Sequence, residues 1–147
     1  MIPRTLDLPP LWLALFAAVV WGLGHAAPLD LTLDRLFAVP LLAIGVLLML
    51  AAAVQMALRH TPLMPHREPS ALVTQGVFAL SRNPIYLGDA FVLAGLCLWW
   101  NATYALVLVP AFMWLITVRF IVPEETRCDA RFGADFAEYR AAVRRWI

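Results

Sequence analysis

Formal charge vanishes from this chain over three long stretches, and that absence limits its fold more than any motif does. Between Asp7 and Asp30 lie 22 uncharged residues, and between Arg35 and Arg59 another 23. Asn83 to Val118 runs 36 residues with a single charge, Asp89. A bilayer core about 30 Å thick takes about 20 apolar residues per helical crossing. The first two stretches therefore fit one crossing each, and the third fits two. Trp99-Trp100-Asn101-Ala102-Thr103 divides the third, because tryptophan favours the membrane–water interface and asparagine suits a tight turn. The expected spans are 11–27, 36–58, 84–100 and 103–122, within about two residues. In hydrocarbon the backbone must satisfy its own polar groups. The expected fold class is thus all-α integral membrane: four transmembrane helices, a re-entrant or interfacial loop at 59–82, and a C-terminal amphipathic helical tail at 123–147.

Composition agrees with this. The 147 residues are 63% hydrophobic and 14% charged, against about 45–50% and 25% in soluble domains. That balance excludes a water-soluble globule, a disordered chain and a nucleic-acid binder, and the length suits one domain over 1–147. Pro9 and Pro10 suit the first turn of span one, whose apolar body is long for a cleaved signal peptide. Pro40 falls near the start of span two, and Pro110 is expected to kink span four. Cys97 and Cys128 read as packing residues or inert thiols rather than a disulfide. All 11 basic residues are arginine. Four spans put 10 of them on the side of both termini and loop 59–82, with Arg35 on the other. Arginine excess marks the cytoplasmic face, so both termini and loop 59–82 are expected there.

The chemistry-bearing residues cluster in the two polar parts. Loop 59–82 is too proline-rich for a regular helix and too apolar for a solvated loop, so it is expected to dip into the interface or cover a cavity. In the tail, Pro123 is expected to start a helix, with Glu124 and Glu125 on its positive end and Gly133 as its left-handed cap. A following helix carries Phe136, Tyr139, Val143 and Trp146 on one face, either lying on the membrane surface or packing on the spans. Ser81-Arg82-Asn83-Pro84-Ile85-Tyr86-Leu87-Gly88 opens span three. There Asn83 is either a helix cap or part of an anion site at the free backbone N–H groups. Glu124-Glu125 either closes that helix start or holds a cation. Asp89, about one turn inside span three, is a functional candidate or the ion-pair partner of an arginine such as Arg119. His25 reads as a packing or interface residue. His60 and His66, six apart across two prolines, have poor zinc spacing, and no metal is expected.

Taken in order, Pro65-His66-Arg67, Ala71-Leu72-Val73-Thr74-Gln75-Gly76-Val77-Phe78, Ser81–Gly88, Glu124-Glu125, Phe132-Gly133, Tyr139 and Val143-Arg144-Arg145-Trp146 resemble the isoprenylcysteine carboxyl methyltransferase and phospholipid methyltransferase families, in particular their short bacterial members. The resemblance covers roughly residues 60–147. It implies an integral membrane enzyme using S-adenosylmethionine, releasing S-adenosylhomocysteine, and binding the cofactor between the last spans and the polar tail. By motif, His66, Ser70, Ala71, Leu72, Val73, Phe78, Asn83, Pro84, Tyr86 and Glu124 would bind the cofactor. Arg82, Asn83 and Tyr86 would position the reaction, and Asp89 and Arg119 would face the acceptor. Two departures stand out: the family's Arg-His-Pro is Arg82-Asn83-Pro84 here, and its usual tyrosine is Phe78. Asparagine replaces one hydrogen bond of a histidine but cannot act as a base.

The implied acceptor is lipophilic or small, offering a carboxylate, thiol or amine. With no base evident in the sequence, carboxylate or thiol is favoured over amine. The oligomeric state is open. Two other readings compete. A membrane reductase would use NADPH, for which the chain is short. A four-span transporter or subunit, if proton-coupled, would need a carboxylate deep in a span, which spans one and two lack.

Overall fold

A computed structural model of the chain describes residues 7–29, 31, 34–60 and 71–147. His66 and Ser70, named above as cofactor-binding candidates, lie outside the described residues. The described chain is helical throughout: α1 (Pro9–Ala26), α2 (Asp34–Leu58), α3 (Pro84–Trp99), α4 (Leu108–Ile116), α5 (Val122–Phe132) and α6 (Ala134–Ala142). Short 3-10 turns stand at Gly76–Ala79 and Thr103–Val107, and a π-helical turn at Thr117–Ile121.

Three of these helices are long and apolar enough to cross a membrane: Pro9–Ala26, Asp34–Leu58 and the continuous Thr103–Phe132. The molecule is an integral membrane protein by that measure, and Leu36, Leu47, Leu58, Val107 and Trp114 turn their side chains outward as lipid-facing residues would. Helix α3, expected as a full span, has 16 residues, or about 24 Å at 1.5 Å per residue. It is short because it is an inner helix, with most of its residues buried against its neighbours. Four full-length crossings are therefore not what the structure displays.

The α2–α3 seam is the most extensive among the described helices. A Cβ on Gly45 would lie 2.7 Å from the Gly88 carbonyl oxygen, and one on Gly88 would lie 2.6 Å from that of Gly45. A Cβ on Gly95 would lie 2.7 Å from the Leu42 side chain and 3.1 Å from its backbone nitrogen. In lipid, where tails are as apolar as leucine, such small residues let backbones approach and gain dispersion contacts. Between α1, α3 and the Thr103–Phe132 helix, Val20, Leu93, Phe112, Ile116, Phe120 and Ile121 form a fully enclosed core, with Phe16 edge-on to Phe112 at 5.4 Å.

One correction concerns the fourth crossing. Pro123 does not begin a separate helix, because the chain runs helically from Thr103 to Phe132. Proline at 123 has no N–H for the Arg119 carbonyl, and the helix absorbs this by widening just before it. The Val122 N–H accordingly bonds the Thr117 carbonyl five residues back. Winding also changes from 3-10 to α between Val107 and Leu108, within a turn of Pro110. Gly133 does end α5 at positive φ (49°), with its N–H on the Asp129 carbonyl.

The far end is closed by polar bonds. Asn101 takes φ 56° in the reversal between α3 and the next helix. Its carbonyl accepts the Leu29 N–H at 2.7 Å, and Thr103 Oγ1 donates to Asp34. At the opposite end, Arg119 Nε donates to Asp7 at 2.8 Å and its guanidinium lies over the Trp12 ring. Arg119 therefore belongs to Asp7, and the expected pairing with Asp89 does not form. Substituting Gly45→Ala or Gly88→Ala should lower the detergent melting temperature, at a cost of about 1–3 kcal/mol from overpacking. Gly22→Ala, whose Cβ meets nothing within 4 Å, should leave it unchanged or raise it.

Candidate active site

Four chain segments converge at the Asp7–Arg119 end: the start of α1, the end of α2, the loop leading into α3, and α5 with α6. Between them lies a cavity of about 410 Å³, within the range of ordinary ligand pockets. Its polar lining is Arg82, Asn83, Tyr86, Asp89, Glu124 and Glu125, with Arg127, Cys128 and Tyr139 beside them. Its apolar lining includes Pro9 and Pro10 of α1, Met49 and Met56 of α2, and Phe132 and Phe136 of the tail.

Local sequence explains why these side chains meet. Pro84 sets the first turn of α3, so Tyr86 and Asp89, three residues apart, share a face. Across the cavity the wide turn before Pro123 sets the direction of α5, and the Tyr86 hydroxyl donates to Glu124 Oε1 at 2.8 Å. Glu125 is clasped from two sides. Arg82 Nη2 reaches its Oε1 at 3.1 Å, while Arg145 donates through Nε at 3.1 Å and Nη2 at 2.6 Å. The Arg82 side chain is only 9% exposed, and its Nε and Nη1 are buried with no partner among the described residues. Burial pulls the Arg82 pKa down from its usual value, against the opposing pull of Glu125. The hydrogen bond to Glu125 pushes Arg145 up.

The tail is stitched to the loop before α3. The Arg82 N–H donates to the Arg144 carbonyl at 3.0 Å. Ser81 Oγ and Asn83 Nδ2 donate to the Arg145 carbonyl at 3.2 and 3.0 Å. Tyr139 donates its hydroxyl to the Phe78 carbonyl at 2.6 Å, and burial pushes its pKa up, keeping it a donor. Three expectations are decided by this. Asn83 makes no side-chain cap on α3, since its amide is turned to Arg145. The α6 face of Phe136 and Tyr139 packs inward rather than lying on a membrane surface. That helix also stops at Ala142. Val143 and Trp146 therefore lie beyond it, where the loop captures the carbonyls that would have continued the helix.

Of the cofactor-binding candidates among the described residues, Ala71, Leu72, Val73, Phe78, Asn83, Pro84, Tyr86 and Glu124 all line the cavity. So do Arg82 and Asp89, whereas Arg119 does not. Sequence reasoning missed Glu125 as the clasp between two arginines, and it missed Met49, Met56, Pro9 and Pro10 as wall residues. The seven-residue step from Met49 to Met56, two helical turns, was the only signal for the α2 pair.

An apolar helical bundle enclosing a polar-ended cavity at one membrane boundary defines an integral membrane protein built around a ligand site. The phospholipid methyltransferase family profile matches residues 33–135, more than two thirds of the chain, and the chain belongs to that family. The match takes in α2 and ends within α6, so α1 and the Arg144-Arg145 segment complete the site from outside it. No curated protein and no solved structure shows a significant match. Removing the shared carboxylate with Glu125→Ala should strand the buried Arg82 charge and destabilise the fold by about 3 kcal/mol. Arg145→Ala, whose side chain is 37% exposed, should cost clearly less in the same thermal denaturation in detergent.

Proposed function

We propose that this protein is an S-adenosylmethionine-dependent methyltransferase acting on a lipophilic acceptor, with the cavity as its active site. One observation carries the reading: the cavity is lined by a carboxylate, Glu124, and by a buried guanidinium, Arg82, two of whose nitrogens have no partner among the described residues. Those groups match the zwitterionic end of the cofactor. Arg82 Nε and Nη1 suit its carboxylate, since charge-assisted guanidinium–carboxylate bonds are the strong ones. Glu124 suits the ammonium or the ribose hydroxyls. Phe78 and Tyr86 supply aromatic faces for the adenine or the sulfonium. S-adenosylmethionine, when bound, supplies an electrophilic methyl group on a positive sulfur.

The chain's own work is then positioning and exclusion of water. Methyl transfer to a held acceptor gains mainly from orientation, and the apolar walls of Met49, Met56, Phe132 and Phe136 keep bulk water from the reacting atoms. Tyr86 fixes Glu124 through its 2.8 Å bond, so the cofactor's polar end has a preset partner. Asn83, with its amide committed to the Arg145 carbonyl, holds the tail over the site rather than performing acid–base chemistry. An acceptor from the bilayer would meet the cavity at the α1 and α2 walls, while the cofactor would approach from the arginine-rich side. That side we assign to the cytoplasm, with both termini, in a bacterial inner membrane.

Calorimetry of the purified, detergent-folded chain should register S-adenosylmethionine binding. Glu124→Ala should weaken it by at least about tenfold, the cost of a lost charged hydrogen bond. No binding by a folded sample, or preferential stabilisation by NADPH in a thermal-shift comparison, would refute the reading.

A further inference from the structure

Among the described residues a second cavity, of about 390 Å³, opens where α2 ends and the chain leaves its second crossing. It is lined by Gln55, Leu58 and Arg59 on one side and by residues 72–76 on the other. Arg59 brings a positive charge, and no acidic side chain stands in the described lining. Arg59 Nη2 donates to Gln75 Oε1 at 3.3 Å, which commits the carbonyl end of that amide and leaves its NH2 end as a donor. The Thr74 hydroxyl belongs to the same lining. Gln55 Oε1 is buried with no partner among the described residues. Its amide packs directly on Gly76, leaving no room there for a Cβ. Leu47, Leu50, Val54 and Leu58, each more than half exposed, form a stripe along one face of α2 that leads up to the cavity.

We propose that this second cavity binds the headgroup of an anionic phospholipid, and that the bound lipid steadies the wall of the active site. A phosphodiester suits a guanidinium with N–H and O–H donors beside it, here Arg59, Gln75 and Thr74. The cationic end of a zwitterionic headgroup would meet no counter-charge in the described lining. A headgroup hydroxyl is the donor that Gln55 Oε1 lacks, and a buried acceptor without one is costly. The lipid's chains would cover the leucine and valine stripe of α2, which a soluble anion would leave bare. An anionic leaflet surface also draws arginines at a membrane boundary toward it. This lipid is a partner and not the methyl acceptor, because Arg82, Tyr86 and Glu124 line the other cavity. Leu72 and Val73 line both cavities. They form the partition between the two, so a headgroup seated on one side limits the movement of the wall on the other. That regulatory half rests on the S-adenosylmethionine reading above, whereas the lipid site does not.

Native mass spectrometry of the full chain in detergent, titrated with phosphatidylglycerol, phosphatidylethanolamine or phosphatidylcholine, reads lipid retention directly. A single phosphatidylglycerol should be held in preference to the other two, and inorganic phosphate should not displace it. Arg59→Gln should weaken that retention at least about fivefold, the scale one arginine contributes at an anionic surface. Gln75→Leu, which keeps the charge, should weaken it as well. Arg131→Gln, outside the described lining of the cavity, should not. In calorimetry, phosphatidylglycerol should tighten S-adenosylmethionine binding to the wild-type chain and not to Arg59→Gln. Equal retention of the three lipids, displacement by inorganic phosphate, or equal weakening by Arg131→Gln overturns the lipid site. So does unaltered retention in Arg59→Gln. Specific retention with cofactor affinity unchanged overturns the regulatory half. A chain that retains phosphatidylglycerol yet binds no S-adenosylmethionine in any lipid overturns the active-site reading and the regulatory half with it, while the lipid site stands.

Discussion

Arg82 is a guanidinium nine-tenths buried at the edge of an apolar bundle, and Glu125 is what allows it to be there. An unpaired charge in that position would be prohibitive. The same carboxylate also takes two bonds from Arg145, so a single side chain of α5 ties the loop before α3 to the C-terminal segment. The backbone repeats the connection through the Arg144 and Arg145 carbonyls. Remove the clasp and the cavity loses its polar end, because Arg82, Asn83, Tyr86 and Glu124 are all positioned by the elements it joins.

The bundle beneath has the opposite chemistry. Helices α2 and α3 meet through Gly45, Gly88 and Gly95 at close range, and the helical backbone satisfies its own polar groups there. This rigid apolar seam carries Tyr86 and Asp89 on one side and Met49 and Met56 on the other. At the boundary end the arrangement is open and polar rather than close-packed. There the polar ends of the helices, folded over by the C-terminal segment, enclose the cavity.

Much of this was legible in the sequence, for physical reasons that can be named. Charge-free runs set the apolar helices because burying charge in hydrocarbon is costly, and Asn101 marked the reversal because asparagine tolerates positive φ. The motif residues 71–73, 78, 82–86 and 124 pointed to one cavity and the structure brings them together. Other features escaped because they depend on competition between partners. Asp7 outcompetes Asp89 for Arg119 through a contact spanning nearly the whole chain. Asn83 forgoes its local capping role for a carbonyl 62 residues away. A proline that reads locally as a helix start is absorbed by a π turn, so the helix continues through it. The short α3 likewise reflects packing against α2, which periodicity does not reveal.

The central claim is that this cavity is an S-adenosylmethionine site, and Cys128 offers a direct reporter of it. Cys128 lines the cavity, whereas the other cysteine, Cys97, is fully buried in the core. Alkylation of Cys128 by a maleimide, located by peptide mass spectrometry, should be slowed by S-adenosylmethionine and by S-adenosylhomocysteine but not by NADPH. An alkylation rate unchanged at saturating S-adenosylhomocysteine, or protection by NADPH alone, would contradict the account.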